Sequence, residues 1–70
     1  MTLTLYSIGC PACNVLEKKL KKANFEFTLI TDETVIAEKN YTLLPVLEID
    51  GIAYDYSQAI KWLKEQTNGN

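Results

Sequence analysis

The residues best suited to chemistry are two cysteines three positions apart, in Cys10-Pro11-Ala12-Cys13. They follow an alternating run, Leu3-Thr4-Leu5-Tyr6, and open a helical pattern that reaches Ala23. Two thiols at this spacing can open and close as a disulfide. A thiol attacks a disulfide only as the thiolate, so ionisation governs its reactivity. The first N–H groups of a helix lack an internal partner and carry partial positive charge. Cysteines at such termini can ionise well below the usual value of about 8.5. Cys10 falls where the helix would begin. Pro11 takes the first helical position, where a missing N–H costs nothing. Cys13 lies on the same helix face, so its sulfur can reach back to Cys10.

Roles follow from that geometry. Cys10, at the exposed end, is expected to attack a substrate disulfide and form a mixed disulfide. Cys13, less exposed and expected to hold the higher pKa, is expected to resolve it. The product is a Cys10–Cys13 disulfide that a reductant must reopen. Two other readings compete. One is half of a zinc site, but zinc takes four ligands, and this chain has no histidine and only two cysteines. Only a site shared between chains would serve. The other is a purely structural disulfide, but closing so short a loop removes little entropy from the unfolded chain. A C-x-x-C beside a β-α-β pattern is read as redox-active.

The surrounding chain supplies that pattern. Leu3 to Ile8 alternates and is rich in β-formers, so it reads as a strand, with Gly9 as the break before the motif. From Pro11 to Ala23 the residues Cys13, Leu16, Leu20 and Ala23 share one helix face, which puts Cys13 on the buried stripe. Lys18, Lys19, Lys21 and Lys22 crowd the last turns, complementing the helix dipole. They read first as a solvated face and second as an attraction for acidic partners. Asn24 ends the helix. Phe25 to Ile30 reads as a second strand, parallel to the first, with Phe25, Phe27 and Leu29 on one side.

Thr31-Asp32-Glu33 caps a short second helix to about Lys39, with Val35 and Ile36 buried, and Asn40 and Tyr41 end it. Val46 to Ile49 is a third strand. Asp50-Gly51 is a two-residue hairpin signal, and Ile52 to Tyr54 returns antiparallel. Asp55 reads as the cap of a last helix with Gln58 as its capping-box partner, and Ser57 is a rival cap. Tyr56, Ala59, Ile60 and Leu63 share its face. Trp62 lies off that stripe, as a packing residue. The order is β-α-β-α-β-β-α, an α/β domain with one four-stranded mixed sheet and three helices on its faces.

Seventy residues make one small domain with a limited core. Hydrophobic residues form 47% of the chain, enough for a globular protein. The net charge is −2 and all seven basic residues are lysines, so the chain is not expected to bind nucleic acid. No basic flank and apolar run marks a signal peptide, and no segment approaches transmembrane length. A cytoplasmic monomer is expected, in a compartment where disulfides are transient and catalytic. The polar residues Thr67-Asn68-Gly69-Asn70 are expected to fray.

Pro45 reads, on its own, as an ordinary loop proline before a strand. Taken together, Cys10-Pro11-Ala12-Cys13 after a first strand, Leu44-Pro45 before a third, the Asp50-Gly51 hairpin and the closing helix resemble the glutaredoxin family of the thioredoxin fold. The resemblance covers nearly the whole chain. It implies that Pro45 is cis and packs beside the cysteines, with Pro11 and Ala12 at the substrate surface. It also implies that the Leu44 backbone pairs with a substrate chain as a short strand. Cys10 matches the family nucleophile and Cys13 the resolving cysteine. No bound cofactor or metal is implied; electrons would come from glutathione or from thioredoxin reductase.

The sequence departs from the glutathione-using members at three places. Ala12 stands where they usually carry tyrosine. Ser7-Ile8-Gly9 stands where they often carry a basic residue. Tyr54-Asp55-Tyr56-Ser57-Gln58 stands where paired glycines and an acid usually open the last helix. The resemblance then implies a substrate site at Asp55, Tyr56 and Ser57, without the glycines that let the family's chain approach a peptide ligand closely. The helix start at Ser57 and Gln58 could hold a carboxylate, weakly for want of a nearby cation. The chain also resembles the small redoxins that are recharged by thioredoxin reductase and serve ribonucleotide reductase. Its expected substrates are disulfide-containing proteins. The rival reading is a non-catalytic binding module that docks a peptide beside Pro45, or a dimer bridged by a metal or iron–sulfur cluster.

Overall fold

A computed structural model, which describes residues 1–67, has seven elements in the expected order. They are β1 (Leu3–Tyr6), α1 (Pro11–Lys22), β2 (Thr28–Ile30), α2 (Glu33–Glu38), β3 (Val46–Ile49), β4 (Ile52–Tyr54) and α3 (Tyr56–Thr67). The strands form one open mixed sheet in the order β2-β1-β3-β4. β1 and β2 are parallel, with Leu5 opposite Leu29. β3 runs antiparallel to both neighbours, with Tyr6 opposite Val46 and Leu47 opposite Tyr54.

Strand side chains alternate between the two faces of a sheet, and this alternation splits the core. Leu3, Leu5, Leu47 and Ile49 point to one face and meet Leu16 and Leu20 of α1 with Ala59 and Leu63 of α3. Tyr6 and Val46 point to the other and meet Ile36 of α2, with Val35 packed alongside. Burying each of these large side chains stabilises the fold by about 1.5–3 kcal/mol. Trp62 packs on Phe25, ring centroids 5.2 Å apart, as the packing residue expected.

Asparagine ends both of the first two helices by the same device. Asn24 and Asn40 take left-handed backbone, φ 63° and 61°. After α1, the N–H of Asn24 donates to the Lys21 carbonyl and that of Phe25 to the Leu20 carbonyl. After α2, Asn40 and Tyr41 do the same to Ala37 and Ile36. These are Schellman closures, which satisfy carbonyls a helix end leaves free. Asp50 and Gly51 are also left-handed, φ 50° and 85°, as a two-residue hairpin with matched twist requires. At the start of α3, the Gln58 N–H donates to Asp55 Oδ1 at 2.8 Å and the Asp55 N–H to Gln58 Oε1 at 3.0 Å. Asp55 rather than Ser57 is the cap.

Four expectations need correction. β2 begins at Thr28 rather than Phe25, because Phe25 is used in closing α1. Phe25 and Phe27 still pack on the core, but Leu29 is 42% exposed, since β2 is an edge strand. β1 ends at Tyr6 rather than Ile8, although the Ser7 N–H makes one more ladder bond, to the Ile30 carbonyl. Thr67 lies in the last turn of α3 rather than in a tail beyond it, its hydroxyl donating to the Leu63 carbonyl. The fraying expected of 68–70 lies outside the described residues. Among those described, no helix is long and apolar enough to cross a membrane.

Candidate active site

The strand register gathers the candidate residues at one end of the sheet. Tyr6 opposite Val46 and Leu47 opposite Tyr54 put the end of β1, the start of β3 and the end of β4 together. The cysteine motif, Leu44-Pro45 and Asp55-Tyr56-Ser57 all issue from that end.

Cys10 is the N-cap of α1. Its backbone is extended (φ −70°, ψ 164°), and its sulfur does what a cap's oxygen usually does. The Cys13 N–H donates to Cys10 Sγ at 3.2 Å. Pro11, exposed, occupies the first helical position. Cys10 is partly exposed and Cys13 fully buried, and both are free thiols. Across from them the Leu44–Pro45 peptide bond is cis, the isomer the resemblance implies rather than an ordinary loop proline's. Pro45 is fully buried, and the Cys10 thiol lies 3.9 Å from the Leu44 carbonyl oxygen as a long donor contact. The two segments that meet at this sulfur each leave an apolar side chain in solvent: Ile8 is 57% exposed and Leu43 82%.

The acidity of Cys13 departs from expectation. Burial pushes its thiol up, but hydrogen bonds from the Cys10 side chain, the Ile8 backbone and the Ser7 side chain outweigh that and bring it below its usual value. The sequence pattern makes Cys13 the less acidic thiol because it counts burial alone. Accessibility still separates the two sulfurs, since only Cys10 can be reached from solvent.

Asp55, Tyr56 and Ser57 make no hydrogen bond to the cysteines among the described residues. One Asp55 oxygen is committed to the cap of α3. Tyr56 packs against the core, and with Ser57 it lines an open groove shared with Lys19 of α1 and Lys61. The expectation of no nearby cation is thereby corrected. Lys61 follows Ser57 by one helical turn, and α1 brings Lys19 in from a distant part of the chain.

Two features escape the sequence reading. Ser7, 2% exposed, accepts from the Gly9 N–H at 3.1 Å and favours the Cys13 thiolate. Its signal is a small polar residue in phase with Leu3 and Leu5. The second is a polar cluster on the α2 face of the sheet. Glu48 accepts from the hydroxyls of Tyr6 and Tyr41 and pairs with Lys39 at 3.2 Å. The tyrosine rings meet edge to face at 5.1 Å. Burial pushes the Glu48 carboxyl up, but the bonds from Tyr41 and Lys39 hold it below the usual range. Burial, then the bond to Glu48, push the Tyr41 hydroxyl up to about 12. Its own bond to Glu48 raises the Lys39 ammonium. Lys39 and Tyr41 end α2, so the cluster anchors the segment that carries Leu44 to β3. Its signal is one charge, Glu48, inside an apolar strand. Among the described residues, no three acidic or thiol side chains group as a metal site.

No family model matches this chain, and no curated protein matches it significantly.

Proposed function

We propose that this protein is a glutaredoxin-like thiol-disulfide oxidoreductase of thioredoxin-like arrangement that reduces protein disulfides. The observation that carries the reading is the thiol pair itself: a partly exposed Cys10 sulfur capping a helix and receiving the N–H of a fully buried Cys13.

The Cys10 thiolate attacks one sulfur of a substrate disulfide. A new S–S bond forms to Cys10 as the substrate bond breaks, and the leaving thiolate takes a proton. The Cys13 thiolate then attacks Cys10 Sγ, releasing the second substrate thiol and closing the Cys10–Cys13 disulfide. Two electrons pass to the substrate, and glutathione or thioredoxin reductase returns them to the protein. The Cys13 N–H donates to the sulfur that attacks first; for the second attack the Cys10 S–H is gone, and the Ile8 backbone and Ser7 side chain remain to favour the Cys13 thiolate. An extended substrate chain would pair with the Leu44 backbone beside Cys10, between Ile8 and Leu43.

The test is NADPH oxidation with a model disulfide, coupled in parallel to glutathione with glutathione reductase and to thioredoxin reductase. Turnover with glutathione makes it a glutaredoxin whose peptide site uses Asp55, Tyr56 and Ser57. Turnover with thioredoxin reductase alone makes it a redoxin for protein partners, ribonucleotide reductase among the candidates. Undiminished turnover by Cys10→Ser sinks the assignment.

A further inference from the structure

Six of the seven lysines lie on α1 and α3, and four of them wall the seam where these helices pack together. Toward the C-terminal ends of both helices the seam opens into a groove. Phe25, Ile60 and Leu63 contribute apolar lining; Lys19, Lys22 and Lys64 bring positive charge. Its volume is about 530 Å³. A second, shallower groove shares Lys19, Ile60 and Lys64 and continues past Lys61 to Ser57. No acidic residue lines either groove. The ion pairs among the described residues are Lys21–Glu17 and Lys39–Glu48, so none neutralises these four lysines.

We propose that this groove docks an acidic, amphipathic segment of a protein partner. Charge decides the sign of the occupant. A protein with net charge −2 concentrates four unpaired cations around an apolar strip, which attracts carboxylates and repels basic chains. Shape decides its kind. A pocket for a small molecule encloses most of its ligand, whereas this seam is only partly enclosed. From Ser57 to Thr67 it follows α3 for about 15 Å, close to three turns of a helix. An amphipathic segment with apolar residues toward Phe25, Ile60 and Leu63 and carboxylates toward the lysines fits both features. Neither cysteine lines the groove, although its Ser57 end adjoins the peptide site proposed above; the inference goes beyond the redox reading, and its test needs no turnover.

Trp62, the chain's single tryptophan, packs on Phe25 and reports on the groove. Its fluorescence is followed as a synthetic helical peptide with leucines on one face and glutamates on the other is added to the full chain. A twin peptide with lysine for every glutamate is the control. The expected result is saturable binding of the glutamate peptide alone, weakening as salt rises. Lys22→Glu/Lys64→Glu should weaken it about tenfold, and Lys22→Ala/Lys64→Ala by less. Circular dichroism checks that both variants fold. The proposal is overturned by equal binding of the two peptides, by no binding of the glutamate peptide, or by unchanged affinity in both variants. Dimerisation of the chain that the Lys→Glu changes abolish would replace the partner by a second copy. Co-sedimentation with anionic vesicles without peptide binding would replace it by a lipid surface. Either result overturns it.

Discussion

The Cys13 backbone N–H donates to the Cys10 sulfur at 3.2 Å, across one turn of α1. The sulfur that caps the helix therefore belongs to the more exposed of the two cysteines. Cys10→Ser should keep the cap, since serine is a good N-cap, and lose all turnover. Cys13→Ser should retain attack but not resolution, and accumulate mixed disulfides with substrate. Mass spectrometry of the quenched reaction distinguishes the two.

Ser7 favours the Cys13 thiolate from a buried position. Ser7→Ala removes a pKa-lowering interaction, so the Cys13 pKa should rise and its thiolate fraction at neutral pH should fall. The resolving step should slow more than the first attack. Thiolate absorbance against pH reads the shift, and transient mixed disulfide reads the rate. An unmoved titration curve would show that Ser7 only ties down Gly9.

The Glu48 cluster gives stability a double pH dependence. The Glu48 pKa is depressed in the fold, so its contribution is present above the unfolded value near 4.5 and fades as pH falls through the folded one. Tyr41 is the opposite case. Its pKa rises from 10.0 to about 12, so its contribution is present below pH 10 and is lost as pH climbs through 12. Glu48→Gln should cost about 2 kcal/mol at neutral pH, the scale of a hydrogen bond to a charged group. Tyr41→Phe should remove part of the alkaline loss. Urea denaturation across the pH range measures both.

The Asp55–Gln58 capping box predicts a coupled pair of substitutions. Asp55→Ala should destabilise by about 1 kcal/mol, and Asp55→Asn by much less. Asp55→Ala and Gln58→Ala together should cost less than the sum of the two, because either alone breaks the reciprocal bonds. Strictly additive losses in urea denaturation would mean that the box is not a unit.

Left-handed backbone at Asn24 and Gly51 makes opposite predictions from one cause. Asn24→Gly should be close to neutral, since glycine adopts this conformation freely. Gly51→Ala meets open space, yet should destabilise by about 1–2 kcal/mol because of its φ alone. Thermal denaturation of the two variants separates backbone strain from packing.

Local chemistry in the chain was enough for much of this. Pro11 after Cys10 marked the first turn of α1, Asn24 and Asn40 marked the two helix ends, Asp50-Gly51 the hairpin and Asp55 with Gln58 the last cap. Each depends on backbone preferences and hydrogen bonds within a few residues, so sequence carries it in full. The spacing of Cys10 and Cys13 likewise fixed that the two sulfurs share a helix face. Other features join residues far apart in the chain, and tertiary packing alone decided them. The Leu44 carbonyl meets the Cys10 thiol because β3 pairs with β1. Glu48 gathers Tyr6, Tyr41 and Lys39 because α2 folds back over that face of the sheet. Cys13 has a lowered pKa because the Cys10 side chain, the Ile8 backbone and the Ser7 side chain converge on it, where burial by itself would raise it. Lys19 and Lys64 share a groove because α1 and α3 cover the same strands. Spacing along a chain sets which residues share a face; only the packed sheet and helices set which faces meet.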